Sequence, residues 1–259
     1  MLKIHQIRNA TVVIEWKENF LLVDPMLSPK GKLPSFKYFT LNRRRNPLVE
    51  LPDLFHQLKP KINSVLITHC QKGHFDHLDS YGYKYLNETG LLTYCSKKDE
   101  KFLSKKNVNV KSIQDNVIAP FLGGSIETVE ALHGRGFMGA LMEHGRGYFI
   151  QFPDGPGLYI MGDTVLTSEI KKFVLDKKPD IIIAPAGSAR FDIGDEIIMT
   201  PVELKELANI TSGTIIANHL EAIDHCRQTR SSLKEFIDNE KLSQRILILD
   251  DGETYSYQK

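Results

Sequence analysis

The chain has 259 residues, 41% hydrophobic and 25% charged, an ordinary composition for a globular protein with a sizeable core. Its 33 basic and 32 acidic residues leave a net charge of +1, which argues against a nucleic-acid packaging protein or a polybasic membrane binder. No apolar run approaches the roughly 18 to 20 residues of a membrane span.

The first twenty residues lack the basic start, apolar core and cleavage site of a signal peptide and read as β structure. Residues 12–16 and 20–23 are β-rich, separated by 17–19, and form a hairpin ended by Asp24-Pro25. Residues 28–62 break the pattern, with five prolines, little periodicity, and eight basic residues against two acidic ones. Long stretches without regular structure are usually functional or disordered. This basic, Pro-rich insertion is expected to form a substrate lid or wall, with Arg44 a candidate substrate-binding residue. Residues 64–68 are a short buried strand leading into a cluster of histidines. A helix over 78–86 stops near Gly90, and strands follow at 91–95 and 108–110.

The second half repeats this grammar. Strands are expected at 126–132, 148–152 and 158–161, and a helix at 168–175 with Ile170, Phe173 and Val174 on one face. A continuous apolar strand occupies 181–184. Thr200, Pro201 and Glu203 make a helix start of the capping-box type, running to about Ala208. A strand at 214–217, a helix at 233–237 and a strand at 246–249 close the chain. The reading is one α+β domain over 1–259, with two sheets packed face to face and helices outside. Cys70, Cys95 and Cys226 are too few and scattered for a disulfide framework, so a reducing cytoplasm is expected.

The chemistry concentrates at strand ends. His69, His74 and His77 lie in THCQKGHFDHLD directly after the 64–68 strand, with Asp76 among them. His133 follows the 126–132 strand, Asp163 follows 158–161 in MGDT, and His219 follows 214–217 in ANHLEA. Imidazole and carboxylate together suit zinc, manganese or iron, with no cysteine-rich set to compete. Five histidines and two aspartates exceed the needs of one tetrahedral ion and fit two divalent ions, which a carboxylate can bridge. Two such ions, set against two aspartates and a hydroxide, leave the site positive and suited to an anionic substrate or a developing oxyanion.

With Leu22-Val23-Asp24-Pro25 and the GDT at 162–164, these motifs give a chain that resembles the metallo-β-lactamase superfamily over almost its whole length. The resemblance is closest to the branch that includes ascorbate-6-phosphate lactonase and N-acyl-phosphatidylethanolamine phospholipase D. It implies a four-layer αββα sandwich with a binuclear metal site at the edge of the two facing sheets. By position it implies that His69, His74 and His133 hold one ion and that Asp76, His77 and His219 hold the other. Asp163 would bridge them, Asp76 would also orient the water, and Asp24 would support the loop from behind. The activity implied is that of a metal-dependent hydrolase, whose metal-bound hydroxide attacks an ester, lactone, amide or phosphodiester bond of a small, anionic substrate. Nucleic-acid enzymes of the superfamily usually carry a further domain, for which this chain is too short, so no nucleic-acid partner is expected.

Several readings stay open. The family's usual motif is H-x-H-x-D-H, whereas four residues separate His69 from His74. Either the loop bulges and His69 still reaches the metal, or Lys72 takes the first histidine's place and that site loses a ligand. Thr68-His69 at the strand end and the adaptable Gly73 favour the bulge. His225 is an alternative to His219, and His144 an alternative to His133. Arg135 and Arg146 are candidates for a substrate carboxylate or phosphate. Gly134, Gly136 and Gly139 match GxGxxG, which would mean an NAD(P)-binding oxidoreductase only if a helix follows on the pyrophosphate. A non-catalytic metal-binding or ligand-sensing protein on the same fold is the other competing reading. Nothing in the pattern selects or excludes a homo-oligomer.

Overall fold

The computed structural model describes residues 1–39, 43–71, 73–136, 139, 142 and 145–258. Lys72 and His144, the alternatives to His69 and His133, lie outside the described residues, as do Phe137 and Met138 of the glycine-rich 134–139 segment.

The hairpin expected at 12–23 is present as β2 (Thr11–Trp16) and β3 (Asn19–Val23), paired antiparallel with Val12 opposite Val23. It is preceded by a separate strand, β1 (Leu2–Arg8), antiparallel to β2. The sheet then continues in parallel through β4 (Ser64–Leu66), β5 (Thr93–Ser96) and β6 (Val110–Ile113). The second sheet opens with antiparallel β7 (Ala119–Phe121), β8 (Gly124–Ala131), β9 (Gly145–Gln151) and β10 (Gly157–Ile160). It turns parallel through β11 (Ile181–Pro185), β12 (Thr214–Asn218) and β13 (Ile246–Ile248). The chain does not close at β13. A further strand, β14 (Thr254–Tyr257), returns to pair with β1 at the edge of the first sheet. Its residues are half-buried or exposed, so it lacks the apolar signal that marks a strand in sequence.

The two sheets face each other across one apolar layer, where Ile4, Ile14, Leu21 and Val23 meet Tyr148, Ile150, Leu158, Ile160 and Ile183. The outer face of the first sheet is covered by α1 (Asp53–Leu58), α2 (Ser80–Thr89) and α3 (Lys97–Ser104), through Phe55, Leu58, Leu86 and Leu103. The outer face of the second is covered by α4 (Ser168–Lys177), α5 (Pro201–Ile210) and α6 (Arg230–Asn239), through Ile170, Val174, Leu204, Leu207, Leu233 and Ile237. The layers are therefore αββα. Caps explain several helix boundaries. Asp79 accepts from Gly82 N at the start of α2, which ends at left-handed Gly90. The capping box expected at Thr200 and Glu203 starts α5.

The 28–62 insertion is more regular than its composition implies. It contains α1, whose six residues bury only Phe55 and Leu58 and carry too short a periodic signal to read. Its described parts on either side of 40–42 are tied down by polar contacts. The fully buried Arg8 donates to the carbonyls of Met26 (2.6 Å), Ser28 (3.0 Å) and Val49 (3.0 Å). Asp224, in the loop after β12, accepts from the Ser35 hydroxyl, from Phe36 N (3.1 Å) and from Asn46 Nδ2 (2.9 Å).

Candidate metal centre

Strand direction brings the site together. β3 runs parallel to β4, β10 to β11 and β11 to β12, while β8 and β10 are both antiparallel to β9 and so share a direction. Asp24, His69, His133, Asp163 and His219 each come shortly after the carboxyl end of one of these strands. That end of a sheet is where ligands ordinarily bind in layered folds of parallel strands. His74, Asp76 and His77 arrive on the turn between β4 and α2.

Two groups of ligand atoms result. In one, the donor atoms of His69, His74 and His133 lie within 4.8 Å of one another; in the other, those of Asp76, His77, Asp163 and His219 do the same. Asp163 Oδ2 joins them, lying 3.2 Å from His77 Nε2, 3.4 Å from His219 Nε2 and 3.5 Å from His133 Nε2. All seven residues nominated from the sequence are buried in this cluster.

Each imidazole is held by its outer nitrogen. His74 Nδ1 donates to the Gln71 carbonyl (2.6 Å), His133 Nδ1 to the Ile197 carbonyl (2.9 Å) and His77 Nδ1 to Asp24 Oδ2 (2.9 Å). His69 Nδ1 is 3.0 Å from Thr68 Oγ1, which in turn donates to Asp24 Oδ2 (2.7 Å). His219 Nδ1 meets Cys226 Sγ at 3.3 Å. The Nε2 atoms are left to face inward, the arrangement that metal-ligating histidines require. His69 Nε2, His74 Nε2, Asp76 Oδ1 and Asp163 Oδ1 are buried and have no hydrogen-bond partner. Orphaned buried polar atoms cost about 1–3 kcal/mol each, and this many converging on one point fits a metal centre.

The four-residue detour at 70–73 has a structural role. It lets His69 stay at the strand end, and it carries the Gln71 carbonyl that orients His74. Gln71 itself is anchored by its side chain to Asp99 Oδ1 at 2.9 Å. Gly73 turns the chain at φ +93°, a conformation side chains resist.

Electrostatics separate the two groups. Burial keeps His69 well below its ordinary value and lowers His133 to about 4, so both are neutral and able to donate a lone pair. At His77 burial works against charge, but Asp163, Asp24 and Asp76 outweigh it and raise the ring to about 10. Burial opposes ionisation of Asp163, but His219 and His77 outweigh it and hold the carboxyl well below its usual range. Asp76 and Asp163 thus stay ionised although buried, and a cation placed among Asp76, His77, Asp163 and His219 would gain from both charges.

Asp24 serves ligands from both groups. Its Oδ1 accepts from Thr68 N (2.8 Å), and its Oδ2 from Thr68 Oγ1 and His77 Nδ1. Asp24→Asn would set an amide nitrogen against one of these donors. It is expected to weaken metal affinity about 10- to 100-fold, the usual scale for such supporting groups, with little change in circular dichroism. Unchanged affinity in a competition titration with a chelating dye would refute that role.

The nominated substrate residues are not in the cluster. Arg135 donates from Nη2 to Glu203 Oε1 and to the Leu166 carbonyl, both at 2.9 Å, at the start of α5. Arg44 is exposed on the insertion. Arg146 forms a bidentate pair with Asp115 at 2.9 and 2.8 Å. His225 is buried 6.4 Å, ring to ring, from His219 and is outside both ligand groups. The sequence reading missed Asn9, which donates to the Asp76 carbonyl at 3.1 Å, as well as the roles of Gln71 and Cys226. An asparagine in a hairpin turn carries no signal of such a contact.

The chain is similar to known proteins over nearly its whole length. A family model described as "Beta-lactamase superfamily domain" matches residues 3–228. UPF0173 protein YddR of Bacillus subtilis (strain 168) is 32% identical, the match covering 99% of this chain and 100% of that protein. A solved structure described as a possible metal-dependent hydrolase from Veillonella parvula DSM 2008 superposes with a TM-score of 0.89 at 25% identity, covering 99% of this chain and 100% of that one. An isothiocyanate hydrolase from Delia radicum gut bacteria superposes with a TM-score of 0.87 at 29% identity, covering 98% of this chain and 99% of that one.

Proposed function

The chain belongs to the beta-lactamase superfamily as a metal-dependent hydrolase, and from that premise we propose that it uses two divalent ions to hydrolyse a small molecule. The observation that carries this reading is the convergence of seven buried donor side chains, of which His69 Nε2, His74 Nε2, Asp76 Oδ1 and Asp163 Oδ1 have no hydrogen-bond partner. His69, His74 and His133 would hold one ion, Asp76, His77 and His219 the other, and Asp163 would span both. Imidazole and carboxylate donors suit zinc or manganese best here, and accommodate iron. When bound, such ions polarise the scissile group and make water acidic near neutral pH.

The protein's own groups set up the rest. Asp76 Oδ1 is buried and unpartnered, and would accept a hydrogen bond from the attacking water and orient it. Asp163 holds the two halves of the site in register. Asp24 fixes the rings of His77 and, through Thr68, His69, so that their Nε2 atoms keep aim. Two ions outweigh the two aspartates, so the site favours negative charge developing at the reacting atoms. Ester, lactone, amide and phosphodiester bonds all develop such charge. The three described cysteines are free, consistent with our placing the protein in the cytoplasm. No helix among the described residues is long and apolar enough to cross a membrane.

The test is elemental analysis after purification without chelator, with zinc, manganese and iron supplied separately, followed by a hydrolysis panel. The panel should hold esters, lactones, amides and phosphodiesters, and an isothiocyanate because of the relative named for that substrate. Two ions per chain with turnover that chelator abolishes and metal restores is the expected result. No bound ion under any supply would overturn the reading, and one ion without turnover would leave a ligand-sensing role as its replacement.

A further inference from the structure

We propose that the non-reacting part of the substrate is an uncharged aromatic or branched apolar group, seated against Phe36, Phe75 and Phe191 beside His219. This rests on the hydrolase reading above and adds the substrate class.

The rings run without a break from the metal centre. His219 stands 6.4 Å from His225, His225 lies 4.5 Å from Phe36, and Phe36 stacks on Phe75 at 4.2 Å with planes 5° apart. Phe75 sits in the chain between His74 and Asp76, so the row ends where it began, at the ligand cluster. Phe191 packs over His225 at 5.6 Å and meets Phe36 edge-on at 6.1 Å. The three phenylalanines come from the insertion, the histidine motif and the loop after β11. All three are only half-buried, so each keeps part of its surface for another molecule.

His225 forms the floor of this wall. It is 3% exposed, and its Nδ1 is buried with no partner. Its ring face is turned to Phe36 and Phe191. The floor residue and the central phenylalanine are clamped together, because Asp224, next to His225, accepts from Phe36 N and the Ser35 hydroxyl. A rigid apolar wall loses little freedom when a ring docks on it.

The acids of this region are already engaged in holding the chain: Asp224 accepts from Phe36 N and the Ser35 hydroxyl, and Asp192 from Tyr38 N and Phe39 N. Lys37 and Arg43 lie near Asp192 and offset its charge. Charge at the rim is therefore mixed, and the rings themselves assign the apolar group. The sequence expectation of an anionic substrate then applies to the reacting atoms, and the flanking group is apolar.

The test is calorimetric binding of three hydroxamic acids to the zinc-loaded protein. All three share one metal-chelating head and differ in the tail: acetohydroxamic acid, phenylacetohydroxamic acid and succinic acid monohydroxamate. The phenyl compound is expected to bind about tenfold or more tighter than the acetyl compound, as apolar pockets discriminate. The succinyl compound should gain nothing over the acetyl one. Phe36→Ala and, independently, Phe191→Ala should erase the phenyl advantage while acetohydroxamic acid binds as before. Phe36→Leu should retain part of it, and zinc content checks that each variant keeps its centre. Equal binding of phenyl and acetyl tails, a preference for the succinyl tail, or a phenyl advantage that survives both alanine variants would overturn the proposal alone. Failure of all three compounds to bind would overturn the metal-centre reading and this proposal with it.

Discussion

Asp163→Ala is expected to lower kcat by on the order of 1,000-fold or more, the scale on which losing a preorganised electrostatic group acts, and to reduce the metal bound per chain. Asp163 is the residue whose carboxylate reaches the inner nitrogens of His77, His133 and His219, and so touches both ligand groups. On the proposed two-ion reading, alanine would remove the group that spans both ions. The fold should survive, because Asp163 lies outside the apolar core clusters. Asp163→Asn separates charge from shape. It keeps the volume and one oxygen but loses the negative charge that would hold two cations near each other, so it should retain one ion more readily than two. Metal stoichiometry by elemental analysis and single-turnover hydrolysis measure the two effects separately. A variant that keeps two ions and more than a tenth of the parent rate would remove Asp163 from its assigned place.

Arg8→Met is expected to destabilise the fold by on the order of 3–5 kcal/mol, the scale for taking one partner out of a buried charged network. The guanidinium is fully buried, and burial pushes it down to about 10 even with Asp79, Asp251 and Glu50 pulling it up. It is retained because it satisfies the carbonyls of Met26, Ser28 and Val49, which no apolar side chain can do. Those carbonyls belong to the chain leaving Asp24 and to the far end of the insertion, so the variant should also loosen the wall that carries Phe36. In a protein of this size each kcal/mol moves Tm by about 2–4 °C, so a fall of about 10 °C is the expected reading in a thermal melt. Arg43→Met, on the exposed part of the insertion, is the control and should shift Tm little. A comparable, small shift in both variants would mean that the buried network contributes nothing to stability.

The legible parts of this molecule share a property: their signal is local. The strands now seen as β2 and β11 declare themselves by β-branched runs, and β3 and β10 by apolar runs, because most of their residues are buried. The start of α5 was legible because a capping box spans four consecutive residues. Strands at the margins were not. β14 has no buried face of its own and exists because β1 offers it an unpaired edge, 249 residues earlier in the chain for the pair His5 and Thr254. The helices α1 and α3 are short, and propensity alone does not sustain pieces of that length.

The same division runs through the site. The clustering of these histidines and aspartates was readable because they recur just past strand ends, and strand ends are marked by composition within a few residues. What those residues do not record is the partner of each outer nitrogen, since Asp24, Thr68, Gln71, Ile197 and Cys226 are ordinary residues until folding sets them behind a ring. Nor do they record that Arg135 pairs with Glu203, 68 positions away. By itself the sequence determined which chemistry was available and at which edge of the sheets it would gather. Only the tertiary structure decided that Phe36, Phe75, Phe191 and His225 share one wall, because side chains from four segments become neighbours only when both sheets close on a common core and the intervening loops are pinned.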